Sequence, residues 1–108
     1  MSGPTQISPA ELKSRLESAG KPLLLDVREP WEVAIAALPG IVAIPLHEIP
    51  QRWRELDAQA EIVVICRSGM RSQNAATFLM QQGITHVYNL AGGLLAWSRE
   101  VDPSLPTY

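Results

Sequence analysis

Every residue from Ile62 to Ile65 is β-branched and aliphatic, and the run ends on Cys66, the one cysteine in the chain. β-Branched side chains favour extended backbone. A run with no polar alternation has no face to show to water, so it reads as a strand covered on both sides. Leu23–Val27 has the same character, with the carboxylate of Asp26 near its end, Ile41–Ile44 is read as a further buried strand, and His86–Leu90 as the last strand. Helical signals lie between them. Ser8-Pro9-Ala10-Glu11 is a complete helix start, with Ser8 as N-cap, Pro9 in the first turn and Glu11 placed to reach back, while Ile7 and Leu12 sit at staple positions. Leu12, Leu16 and Ala19 fall on one face of that helix, and Gly20 stops it. Glu29-Pro30 opens a helix through Ala37, ended by Pro39-Gly40, and Ile49, Trp53 and Leu56 form a helical stripe within 47–56. Ser72–Gln82 turns Ala75, Ala76, Leu79 and Met80 inward, and Leu94–Arg99 closes the pattern after a Gly92-Gly93 turn. The segment Asp102–Tyr108, with two prolines, reads as extended over the surface. Strands alternating with helices through short connections specify an α/β chain: a parallel sheet with helices on both faces, and Ile62–Ile65 at its centre. Such sheets bind ligands beyond the carboxyl ends of their strands. Cys66 stands at one of those ends.

At 108 residues the chain is read as one domain, 1–108, with a core large enough to need neither disulfide nor metal. One cysteine and two histidines exclude an internal disulfide and a structural zinc site. Nine basic against eleven acidic residues, with no basic block, argue against nucleic acid and anionic membrane as partners. No stretch approaches the roughly 20 apolar residues of a membrane span. Met1–Gln6 carries no positive segment leading into an apolar run, so the chain reads as cytoplasmic.

Chemistry concentrates in Cys66-Arg67-Ser68-Gly69-Met70-Arg71-Ser72, between the central strand and a helix. The unpaired amides at the start of that helix and the guanidinium groups of Arg67 and Arg71 all favour a thiolate. No Asp or Glu occurs from Ile62 to Arg99, so no sequence-local carboxylate opposes them. Gly69 permits a positive φ, which lets successive N–H groups turn inward around a bound anion or a persulfide. Set against this is the commoner fate of a lone cysteine, burial as a small apolar side chain. The arginines, the glycine and the strand-loop-helix setting weigh against that plainer reading. His47 and His86 match no ligand or acid–base spacing, Trp31, Trp53 and Trp97 read as packing on helices, and Met70 is placed to meet a substrate or a partner protein.

These segments together resemble a single-domain rhodanese-like sulfurtransferase. The resemblance is carried by Leu24-Leu25-Asp26-Val27-Arg28-Glu29, Leu38-Pro39-Gly40, the Cys66–Ser72 loop and Ala91-Gly92-Gly93-Leu94-Leu95-Ala96-Trp97, in that order over nearly the whole chain. It implies a single rhodanese-like domain with a five-stranded parallel sheet flanked by helices on both faces. It also implies that Cys66 carries sulfur, that the loop Arg67, Ser68, Gly69, Met70, Arg71 and Ser72 binds the substrate, and that Asp26 and Arg28 brace the loop. The implied reaction moves sulfane sulfur from a small sulfur-containing anion such as thiosulfate, or from a persulfide, to a thiophilic acceptor without metal or organic cofactor. Arg71 would stabilise the leaving group and Arg67 would steer the donor. Four residues separate Cys66 from Arg71, whereas dual-specificity phosphatases and arsenate reductases of this fold have five, and the loop offers no aspartate acid. The loop also lacks the Cys-Gly-Ser/Thr-Gly-Val-Thr pattern of 3-mercaptopyruvate users. Ala36-Ala37 stands where many relatives have Gly-His, which leaves the loop untouched. The end, Asp102–Tyr108, is similar to that of rhodanese domains fused to adenylating enzymes, which implies a sulfur-carrier protein or a cysteine desulfurase as partner. The other class of function is therefore a non-enzymatic persulfide carrier that serves one cognate protein.

Overall fold

The computed structural model describes residues 3–108; Met1 and Ser2, which begin the segment read for a leader, lie outside the described residues. Five parallel strands form one sheet: β1 (Thr5–Ile7), β2 (Leu23–Asp26), β3 (Val42–Ala43), β4 (Ile62–Ile65) and β5 (Val87–Leu90), in the order β1-β5-β4-β2-β3. β4 is central, as its composition predicts. Helices α1 (Pro9–Leu16), α2 (Pro30–Ile35), α3 (Ile49–Arg52) and α4 (Met70–Gln81) lie between successive strands, and α5 (Gly93–Glu100) follows β5.

The sheet separates two cores because successive side chains of a strand point to opposite faces. Ile62, Val64 and Cys66 pack with Leu25, Val27 and Val87 beneath Ile49 of α3 and Ala75, Ala76 and Leu79 of α4. Val63 and Ile65 face the other way, with Leu24 and Leu90, against Leu12 of α1 and Leu94 and Trp97 of α5. Cys66 thus emerges from the layer that α4 covers.

The capping box of α1 forms as read: Glu11 N–H donates to Ser8 Oγ at 3.1 Å and Ser8 N–H to Glu11 Oε1 at 3.0 Å. Elsewhere the structure departs from the sequence reading. Helix α1 ends at Leu16, leaving Ala19 exposed. The Ile41–Ile44 segment holds only the two exposed edge residues of β3, although Ile44 just beyond is fully buried. An apolar run does not distinguish an edge from a covered strand. The 47–56 stripe is a 3₁₀ turn (Leu46–Glu48), the short α3 and a second 3₁₀ turn (Trp53–Glu55), with Pro50 in the first turn of α3. β1 carries no strand signature of its own and exists by pairing with β5. Trp31 is 62% exposed and packs into neither core. Among the described residues no helix is long and apolar enough to cross a membrane.

Candidate active site

β4 delivers Cys66 to the carboxyl edge of the sheet, 1% exposed. Its Sγ receives the Gly69 N–H at 3.0 Å and lies 3.2 Å from the Ser72 hydroxyl. Gly69 sits at φ 103°, the left-handed region, which turns its amide toward the sulfur. The carbonyls of the loop are held the other way. At the start of α5, Leu94 N–H donates to the Cys66 carbonyl at 3.0 Å and Leu95 N–H to the Arg67 carbonyl at 3.1 Å. The Gly92-Gly93 pair, read from sequence as a turn, therefore docks the amides of α5 onto the carbonyls of the loop. On the other side α4 begins at Met70, two residues earlier than its sequence suggests, so the positive end of a twelve-residue helix abuts the loop.

Neither loop arginine stands free. Arg71 Nη1 and Nη2 grip both oxygens of Glu32 at 2.6 and 2.8 Å, a bidentate pair whose carboxylate is 3% exposed. Arg67 donates through Nε to the Tyr108 main-chain oxygen at 2.8 Å, with Nη2 on the same oxygen, and its guanidinium lies 5.2 Å from the Tyr108 ring centroid. The Tyr108 hydroxyl donates to Glu32 Oε2 at 2.8 Å and accepts from Arg28 Nη1 at 3.0 Å. Arg28 is itself held by both oxygens of Asp26, at 2.9 Å from Nε and 2.7 Å from Nη2, with both side chains wholly buried. Its Nη2 also reaches the Ala36 carbonyl at 2.7 Å. Arg28, held by Asp26, thus grips the end of α2, and α2 presents Glu32 to Arg71. The segment read as a surface tail ends inside this network, its ring edge-on to Trp31 at 6.0 Å.

Glu32, Tyr108 and Asn89 are the site residues the sequence reading missed. Glu32 lies far from the loop in sequence, three residues after Glu29, in the first turn of α2. It caps that helix, accepting the Glu29 N–H at 2.9 Å. The local absence of acidic residues from Ile62 to Arg99 is real, yet a carboxylate reaches Arg71 from another element. The Arg71 hydrogen bonds, against the opposing effect of burial, hold the Glu32 carboxyl down from 4.5 to about 2. The Arg71 guanidinium is raised by the same contact. For Tyr108, burial and donation to Glu32 raise the phenol, with Arg28 opposing.

A carboxyl depressed in the folded state stabilises the fold above its ordinary value and loses that contribution as pH falls toward the depressed one. The Glu32–Arg71 pair is accordingly expected to contribute about 2 kcal/mol above pH 5, after discounting for an Arg71 side chain that is 34% exposed, and to lose it between about pH 4.5 and 2. Urea unfolding of Glu32→Gln checks this. Its deficit relative to wild type should be largest at neutral pH and vanish near pH 2, and a deficit that does not change with pH would contradict the ion pair.

Cys66 thus stands at the carboxyl end of the central strand, its sulfur met by the Gly69 N–H and the Ser72 hydroxyl, with its loop between two helices. Residues 8–100 match the Rhodanese-like domain, and the chain belongs to that family. It is 42% identical over 94 residues to a protein of Allochromatium vinosum named sulfurtransferase, covering 87% of this chain and 88% of that one. It is 37% identical over 102 residues to the adenylyltransferase and sulfurtransferase MOCS3-1 of Zea mays, covering 87% of this chain and 22% of the maize protein. Among solved structures, the rhodanese-related protein of Thermoplasma volcanium superposes with a TM-score of 0.84 at 30% identity, covering 96% of this chain and 99% of that one. These similarities place the chain among rhodanese-type sulfurtransferases.

Proposed function

We propose that this chain transfers sulfane sulfur through a persulfide on Cys66, with thiosulfate or a protein persulfide as donor. The observation that carries the reading is the direction of the loop: the Gly69 N–H meets Sγ while the Cys66 and Arg67 carbonyls are drawn off by α5. A sulfur anion is held by donors and repelled by carbonyls. In the first half-reaction the Cys66 thiolate attacks the outer sulfur of thiosulfate. An S–S bond forms, the bond to the sulfite sulfur breaks, and sulfite leaves with the electron pair. In the second, an acceptor nucleophile such as cyanide or a thiolate attacks that outer sulfur and Cys66 leaves as thiolate. Electrons balance without an external oxidant. Arg71 is fixed at the loop end by Glu32 rather than swinging free, its charge shared with that carboxylate. Ser68 and Met70 form the exposed lip, with Met70 74% exposed.

That lip supports a protein as the physiological donor or acceptor, as does the likeness to a maize protein whose name joins adenylyltransferase and sulfurtransferase. A sulfur-carrier protein or a cysteine desulfurase in the cytoplasm is the partner proposed. The reading is tested by mass spectrometry of the intact protein after thiosulfate treatment, together with thiocyanate formation from thiosulfate and cyanide. One added sulfur atom, discharged by cyanide, is the expected result; an unmodified protein with every persulfide donor tried would end the proposal. Persulfide formation from a protein donor with negligible thiosulfate turnover would favour the carrier form of the same chemistry.

A further inference from the structure

Asn89 of β5 is 3% exposed, carries no charge and lies on the strand beside β4. Its carboxamide is fully committed. Nδ2 donates to Gln6 Oε1 at 2.9 Å and to the Gly69 carbonyl at 3.2 Å, and these two bonds orient the amide so that Oδ1 meets the Ser72 hydroxyl at 2.5 Å. The Ser72 oxygen is also 3.2 Å from Cys66 Sγ. A hydroxyl has one hydrogen to give, and here two acceptors lie within its reach. When Cys66 is a thiol, its S–H can donate to the Ser72 oxygen while the Ser72 hydrogen rests on Asn89. When the sulfur is an anion it cannot donate, and it draws that hydrogen to itself.

We propose that Asn89 is a positioning residue for the sulfur: it holds the Ser72 hydrogen in reserve on Oδ1 and, through Nδ2, anchors the Gly69 carbonyl, fixing from its far side the residue whose N–H faces Sγ. Both actions converge on the one atom that changes charge during sulfur transfer. Because the Oδ1–hydroxyl bond is neutral, the hydrogen is released to an anionic sulfur at little cost. A charged acceptor in the same place would retain it. The inference rests on the sulfur-carrying role of Cys66 proposed above.

Asn89→Asp makes that change, replacing the amide donor with a carboxylate oxygen that competes for the Ser72 hydrogen and leaves the Gly69 carbonyl to the Gln73 N–H alone, at 3.3 Å. The remaining charged and titratable groups grouped about the loop, Arg67, Arg71, Glu32, Arg28, Asp26 and Tyr108, stay as they are. The measurement is the rate of iodoacetamide alkylation of Cys66 from pH 5 to 10, with circular dichroism to verify folding. Asn89→Asp is expected to slow alkylation at pH 7 at least about tenfold, with the loss recovered at high pH, and Ser72→Ala to slow it about threefold to fivefold. In a Ser72→Ala background the further cost of Asn89→Asp should shrink to less than half of its logarithmic value, because the shared hydrogen is gone. Strictly additive costs would overturn the proposal. Should Asn89→Asp not fold, Ser72→Ala decides alone: an alkylation profile identical to wild type overturns it, and a slower one at neutral pH supports it. Alkylation needs no sulfur donor. Normal coupling in a protein that never acquires sulfur would therefore remove the sulfur-carrying role and leave the hydrogen-bond coupling standing.

Discussion

Cys66→Ser is expected to abolish sulfur transfer, lowering thiocyanate formation by more than about a thousandfold, while the thermal midpoint moves by only a few degrees. The substitution exchanges one small atom for another at a site whose neighbours are hydrogen-bond donors. The Gly69 N–H and the Ser72 hydroxyl would meet a serine oxygen as readily as they meet Sγ at 3.0 and 3.2 Å. The chemistry does not survive the exchange. A serine hydroxyl is not ionised near neutral pH, and oxygen forms no stable equivalent of a persulfide, so neither half-reaction has a carrier. A folded Cys66→Ser protein that still gains a sulfur atom from thiosulfate would show that the sulfur sits elsewhere and would remove the proposed mechanism. The intact mass and the steady-state rate, measured on the same preparation, are sufficient to decide.

How much of this arrangement was legible in the sequence depends on the reach of each interaction. Cys66, Gly69 and Ser72 lie within seven residues, between a β-branched strand and a helix, and local rules alone bring their N–H, hydroxyl and sulfur together. The central place of β4 was legible because only a doubly covered strand tolerates Ile-Val-Val-Ile. Glu32, Tyr108 and Asn89 were not legible. Each reaches the loop across the fold, and each has an ordinary local role that conceals the distant one: a helix cap, the end of a proline-containing segment and a polar position within a strand. The two loop arginines show the consequence. Sequence spacing suggests an unopposed cationic field, whereas folding brings a buried carboxylate to one and a main-chain oxygen to the other. β1 was invisible for the same reason, since three residues with one buried side chain form a strand only because β5 offers an edge. β3 failed in the opposite direction, its apolar residues suggesting a covered strand where the sheet ends.

Gly93→Ala is expected to be among the most damaging single substitutions in the chain, costing about 3 kcal/mol of stability and most of the sulfur-transfer activity. Two independent effects add. Gly93 has φ 61°, in the region an L-residue enters at a cost of roughly 1–2 kcal/mol. A methyl there would also lie 2.4 Å from the Arg67 carbonyl oxygen and 2.6 Å from that of Cys66, both backbone atoms that cannot swing aside as a side chain can. Relief requires α5 to withdraw from the loop, which would stretch the Leu94 and Leu95 amides away from the carbonyls they hold. Those carbonyls would then be free to rotate toward the sulfur, the one orientation that opposes a negative charge there. Two measurements separate this from general destabilisation. Gly40→Ala meets the same backbone penalty at φ 77° with nothing near its added methyl, so it should cost roughly 1–2 kcal/mol and leave kcat close to wild type. Gly93→Ala, assayed at a temperature where it remains folded, should still lose at least about tenfold in kcat. Equal losses of activity in the two variants would mean that the approach of α5 to the Cys66 loop serves folding alone.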